Sequence, residues 1–119
     1  RLDDFGRGIA HINNKVVFIE NALPEEVVEI KIINDKKNFS EAKVVKYLKL
    51  SKDRLESKCP YFEVCGGCNL LHLSYENTLT FKQSKIKELL KKNKINYNKE
   101  IEIIKNANPY YYRNKVRLL

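Results

Sequence analysis

Three cysteines, Cys59, Cys65 and Cys68, fall within one stretch of ten residues, CPYFEVCGGC, and the 119-residue chain has no other. Thiolates are the ligands that favour zinc and iron–sulfur clusters over hard cations. Gly66 and Gly67 between the last two cysteines let the backbone turn so that both sulfurs can face one centre. Pro60 stiffens the arm after Cys59. Structural zinc and cubane iron–sulfur clusters each ordinarily take four ligands. His72 stands four residues beyond Cys68, so a Cys3His zinc site is sterically conceivable. The other source of a fourth ligand is a thiolate beyond Leu119. Three reduced thiols without metal, or a disulfide plus a free thiol, are the plainer alternatives. So tight a grouping of every cysteine speaks against both.

Spacing of this kind in a chain that opens with no leader pattern sets the expectation of a reducing, cytoplasmic compartment and a metal site rather than disulfides. The apolar runs are too short for a membrane span, so no membrane association is expected. Both ends look cut: residue 1 is arginine, and the last residues, Lys115 to Leu119, read as the middle of a strand. The sequence is therefore expected to be part of a longer protein.

Net charge is +8, unevenly spread. Residues 1–58 carry +2, residues 59–80 carry −2 and residues 81–119 carry +8. A basic half beside a thiol cluster points to an anionic partner, with nucleic acid first. The plainer reading of the same charge is a solvated lysine-rich face. Candidate phosphate contacts are Arg7, Lys46, Lys49, Arg54, Arg113, Lys115 and Arg117, and candidate stacking residues are Tyr47, Tyr97, Tyr110 and Tyr111.

The elements that would position these groups are mixed α+β. Residues 1–50 read as short strands joined by turns: Val16 to Ile19, preceded by Phe5 to Ala10 with glycines that allow tight bends, then Glu26 to Ile33 and Phe39 to Leu48, separated by Asn21-Ala22-Leu23-Pro24 and the polar turn at 34–38. In the last of these Ala42, Val44 and Leu48 are expected on one face, with Lys43, Val45 and Tyr47 on the other. Several short strands in so few residues predict a small closed, OB-like β-barrel. Residues 51–58 read as a linker, and residues 59–119 as the first part of an incomplete α/β domain that begins with the cysteine loop. There, Ser74 and Glu76 signal a helix start, and apolar residues from Tyr75 to Leu90 recur at three- and four-residue steps, ending near Asn93. Short strands are expected at Ile101 to Ile104 and from Tyr110 onward, the latter aligning Arg113, Lys115 and Arg117 on one face.

These blocks carry a resemblance. Phe5-Gly6-Arg7-Gly8-Ile9-Ala10, Val17-Phe18-Ile19 and Ala22-Leu23-Pro24-Glu25-Glu26-Val27-Val28 resemble the TRAM domain, a small RNA-binding β-barrel. Cys59-Pro60 through Cys65-Gly66-Gly67-Cys68 and Leu71-His72-Leu73-Ser74-Tyr75 resemble the iron–sulfur segment of bacterial RNA uracil-5-methyltransferases. Tyr112-Arg113-Asn114-Lys115 looks like a later stretch of that family. The blocks occur in the family's order over nearly the whole chain, and the cysteine block is the most specific.

The resemblance implies an enzyme that methylates C5 of a uridine in RNA using S-adenosylmethionine, with ribosomal RNA ahead of transfer RNA as target. It implies Cys59, Cys65 and Cys68 as ligands of a 4Fe–4S cluster whose fourth ligand lies outside this chain. It places S-adenosylmethionine and the catalytic cysteine on a later domain, so this portion alone is expected to be inactive. The family's attack on C6 of a flipped uracil makes C5 nucleophilic. Two positions depart from the family's pattern: Glu25 stands where the barrel usually has glycine, and Leu71 where glutamine often precedes the histidine. The competing reading is a zinc-stabilised nucleic-acid-binding module with Cys59, Cys65, Cys68 and His72 as ligands and no catalytic role. An electron-transfer protein ranks last, because small ferredoxins use a different cysteine spacing.

Overall fold

The computed structural model describes residues 1–117. They form four strands and two helices: β1 (Gly8–Ile12), β2 (Lys15–Glu20), β3 (Val27–Asp35), β4 (Phe39–Lys49), α1 (Phe62–Cys65) and α2 (Tyr75–Lys92). The chain divides into two compact units, Arg1–Ser74 and Tyr75–Leu119.

In the first unit β1 and β2 are a hairpin whose two-residue loop, Asn13-Asn14, has positive φ at both positions (51° and 63°). That is the backbone of a type I′ turn, whose twist matches the flanking strands, and asparagine tolerates it better than most residues. β3 and β4 pair antiparallel, and β4 returns to lie parallel to β2, giving the order β1-β2-β4-β3. The β-branched residues of β2 supply the centre of the core. Val17 and Ile19 pack with Ala22 and Ala42, and Ala10, Ile30 and Val44 close around them.

The expected closed barrel is not formed among the described residues. β1 and β3 occupy the two ends of the strand order and do not pair, so the sheet is open and mixed. Closure needs a further ladder between the end strands. The predicted alternation along β4 also fails in its second half. The ladder steps from Glu29↔Lys46 to Ile30↔Val44, leaving Val45 as an extra residue. Such a bulge inverts the inside–outside phase beyond it. Tyr47 therefore turns toward the protein, and Leu48 is 56% exposed instead of buried beside Val44.

The turn between β2 and β3 shows how the chain copes with Glu25. Glu26 N–H donates to the Leu23 carbonyl at 3.3 Å, Pro24 takes the second position and Glu25 the third, with φ at 68°. This is the type II pattern, in which the third position favours glycine.

The expected linker is pinned in place. Arg54 bridges to Leu73, and Leu55 N–H donates to the His72 carbonyl at 2.8 Å. In the second unit α2 ends in a Schellman motif. Ile95 N–H reaches the Leu90 carbonyl at 2.9 Å, Lys94 N–H reaches that of Lys91 at 3.1 Å, and Lys94 is left-handed with φ at 54°. Gln83 Nε2 donates to the Ile101 carbonyl at 2.7 Å, and the Tyr75 hydroxyl accepts from Asn106 N–H at 2.9 Å. These bonds hold residues 101–106 along the helix without any ladder. The strands expected at 101–104 and from Tyr110 onward are absent among the described residues. A lone extended segment has no partner for its amides, so no strand forms. Leu118 and Leu119, the end of that expected strand, lie outside the described residues.

Candidate functional site

The functional candidates of the first unit gather where the sheet meets the cysteine segment. Two clefts open there. One, of about 340 Å³, is lined by Phe5, Arg7, Lys43, Phe62 and Cys68 among others. The other, of about 500 Å³, is lined by Tyr47, Arg54, Cys59, Phe62 and His72 among others.

The loop leading into β1 is built around Asp3. Its Oδ1 accepts from Phe5 N–H at 2.9 Å and Arg7 N–H at 2.8 Å, and its Oδ2 accepts from Arg7 Nε at 2.7 Å. Arg7 Nη1 donates to Glu41 at 3.0 Å. The Arg7 guanidinium lies 4.6 Å from the Phe18 ring centre and 5.5 Å from that of Phe5. Gly6 has φ at 80°, and a Cβ there would sit 2.8 Å from Leu70 Cδ2. Only glycine fits a loop that close to its neighbour.

Arg54 is equally committed. Its Nε and Nη2 donate to the two carboxylate oxygens of Glu26 at 2.5 and 3.0 Å, and Nη2 also donates to the Asn21 carbonyl at 2.5 Å. Its guanidinium rests on the Tyr47 ring at 4.6 Å, and the Tyr47 hydroxyl donates to the same Asn21 carbonyl at 2.8 Å. Burial works against the charge on Arg54, but the Glu26 hydrogen bonds outweigh it and hold its pKa above the usual value. Burial likewise pushes the Tyr47 hydroxyl up.

Of the seven predicted phosphate contacts, Arg7 and Arg54 therefore spend their guanidinium groups on internal carboxylates. Lys46 and Lys49 are exposed on β4, across from Glu29 and Val27 of β3. Arg113, Lys115 and Arg117 are exposed in the second unit without the strand that was to align them. Of the predicted stacking residues, Tyr47 packs internally, while Tyr97 and Tyr111 are 52% and 102% exposed. Phe5, 66% exposed, is an aromatic candidate that sequence reasoning missed. Its signal was its place beside two glycines in a loop with no apolar neighbour to hide it.

Among the described residues the thiols are not brought onto one centre. α1 carries Cys65 at its end, and Gly66 turns the chain away in a left-handed cap with φ at 70°. Cys65 and Cys68 are exposed and Cys59 is half-buried. Cys68 faces the smaller cleft and Cys59 the larger. Among the described residues no three side chains of His, Cys, Asp or Glu are grouped to hold a metal ion. As placed, the three thiols do not fit a shared cluster.

His72 does not complete a Cys3His site either. It is 2% exposed, its ring lies 5.3 Å from that of Phe62, and neither ring nitrogen has a hydrogen-bond partner among the described residues. Burial, with repulsion from Arg54 and a smaller opposing pull from Glu26, lowers its pKa to about 4. Among the described residues this neutral, stacked imidazole is not grouped with the three thiols, so the zinc reading is not favoured.

Comparison with known proteins agrees with this architecture. Residues 1–45 match the TRAM domain family. Over 117 residues the chain is 43% identical to the 23S rRNA (uracil(1939)-C(5))-methyltransferase RlmD of Legionella pneumophila (strain Lens), covering 98% of this chain and 26% of that protein. The protein of the same name from Vibrio parahaemolyticus is 44% identical over 92 residues, 77% of this chain and 21% of its own length. That from Aliivibrio fischeri (strain MJ11) is 40% identical over 118 residues, 99% of this chain and 27% of its own. The chain thus spans about a quarter of the length of these curated relatives.

Proposed function

We propose that this chain is the RNA-docking portion of an S-adenosylmethionine-dependent methyltransferase acting on C5 of a uridine in ribosomal RNA. The observation that carries the reading is similarity along nearly the whole chain to proteins of that name, with the TRAM domain at its head. The physical features support it. Lys43, Lys46 and Lys49 are exposed on one strand of the sheet, and the chain's net charge of +8 favours a polyanion. In this reading the first unit holds the RNA backbone, and methyl transfer takes place on parts of the protein not in this chain.

Cys59, Cys65 and Cys68 are the proposed ligands of a 4Fe–4S cluster, with a fourth thiolate from elsewhere in the protein. The support is the clustering of every cysteine about a diglycine and the similarity to the family. Cys59 and Cys68 line different clefts, so this proposal requires the 59–68 segment to draw them together when the cluster is bound. The residues here provide thiolates; no step of the reaction is assigned to them.

The test uses the full-length protein, expressed without oxygen, with S-adenosylmethionine and unmodified ribosomal RNA. Nucleoside mass spectrometry is expected to detect 5-methyluridine at one position, and iron and acid-labile sulfide are expected in the protein. RNA left unmethylated at uridine C5 overturns the enzymatic reading. Iron-free protein that still methylates overturns the cluster assignment alone.

A further inference from the structure

We infer that Phe5 is a stacking platform for one unpaired nucleobase of the bound RNA, with Lys43 in the same cleft meeting the adjoining phosphate. The inference rests on the RNA-docking reading above and adds to it a site and its ligand chemistry.

A lone exposed phenylalanine is ordinary on a protein surface. Phe5 differs because its backbone is fixed on both sides while its ring is left out. Its N–H is held by Asp3, its carbonyl accepts from Asn69 Nδ2 at 2.8 Å, and the next residue, Gly6, is locked against Leu70 and Asn69. The Arg7 guanidinium lies over the ring, itself held by two carboxylates. The ring is 66% exposed all the same. An aromatic plane held rigidly at the mouth of a cleft loses little entropy when a second plane lies on it.

The cleft suits one nucleotide. Its volume of about 340 Å³ falls in the range of small-ligand sites, about 300 Å³ and above. α1 adds the apolar side chains of Phe62 and Val64 to its lining. Lys43 has a loose neighbour in Glu20, at 3.7 Å, and lies directly across from Lys31 on β3. A like-charge cross-strand pair is unfavourable by itself. A phosphate beside Lys43 relieves it. With Arg7 neutralised internally, Lys43 faces both Glu20 and Glu63 in the lining, which disfavours a polyphosphate and leaves the base stacked on Phe5 as the main contact, with Lys43 able to meet a single phosphate.

The chain contains no tryptophan, so Phe5→Trp installs a single fluorescent reporter at the platform. The probes are a single-stranded RNA of mixed sequence and the same backbone carrying abasic sites. The expected results are quenching of the indole emission of Phe5→Trp by the base-bearing strand and not by the abasic one, and affinity about tenfold weaker for Phe5→Ala, with an unchanged salt slope. Phe5→Tyr should bind like the unaltered protein and Phe5→Leu like Phe5→Ala. Lys43→Ala should flatten the salt slope by about 0.7. Full binding by Phe5→Ala together with unquenched Phe5→Trp, in a protein that does bind RNA, overturns the inference. Failure of the unaltered protein to bind any RNA overturns the docking reading and this inference with it.

Discussion

Arg54 grips Glu26 through two nitrogens, and the pair is nearly enclosed: the Glu26 side chain is 1% exposed and that of Arg54 16%. Glu26 also accepts from the backbone N–H groups of Leu23 and Ser51, so one carboxylate ties the β2–β3 turn to the segment leaving β4. Arg54 thus ends the sheet as a structural bolt.

Removing one partner of a buried pair strands the other's charge. Arg54→Ala is expected to cost about 3 kcal/mol in a urea titration, and Arg54→Met with Glu26→Leu to recover most of it. A loss under about 0.5 kcal/mol for the single variant would show the pair to be solvated.

Glu25 sits in a left-handed conformation that costs an ordinary residue about 1–2 kcal/mol. Glycine would lose about 0.4–1 kcal/mol more entropy on folding. The strain outweighs that entropy, so Glu25→Gly should stabilise the protein by about 0.5 kcal/mol, read as a small rise in Tm.

His72 makes stability depend on pH. Its folded pKa of about 4 lies below the ordinary value of 6.5, so the unfolded chain takes up the proton first. The stabilisation is complete above pH 6.5 and is lost as pH falls toward 4, by up to about 3 kcal/mol. His72→Leu should flatten the stability profile in that window. It should not weaken the protein at pH 7, because it removes two unpartnered buried nitrogens. An unchanged profile would mean that the ring already titrates normally.

Gly6→Ala combines a positive φ with a contact of 2.8 Å to Leu70. A loss of about 2 kcal/mol is expected on thermal unfolding. A neutral result would mean that the loop around Asp3 yields easily.

Much of this was readable in the residues, for physical reasons that also mark where reading stopped. β2, β3 and β4 follow from β-branched runs between breakers, and α2 from its apolar spacing. Asn13-Asn14 carried a turn signal that the strand pattern overshadowed. The bulge at Val45 was not legible, because alternation has no mark for an extra residue, and every assignment after it was inverted. Nor does sequence reveal which cations are already spent: Arg7 and Arg54 look like Lys46 until their carboxylate partners, distant in sequence, fold onto them. The expected strand beyond Tyr110 needed a partner that local pattern cannot supply.

The most direct measurement is RNA affinity of this chain across a salt titration, using single-stranded ribosomal RNA sequence. Three exposed lysines on β4 predict that log K falls linearly with log salt with a slope near −2 (about 0.7 per contact), and that replacing Lys43, Lys46 and Lys49 by alanine abolishes most of it. No detectable binding at about 50 mM salt, or an affinity indifferent to salt, would contradict the account.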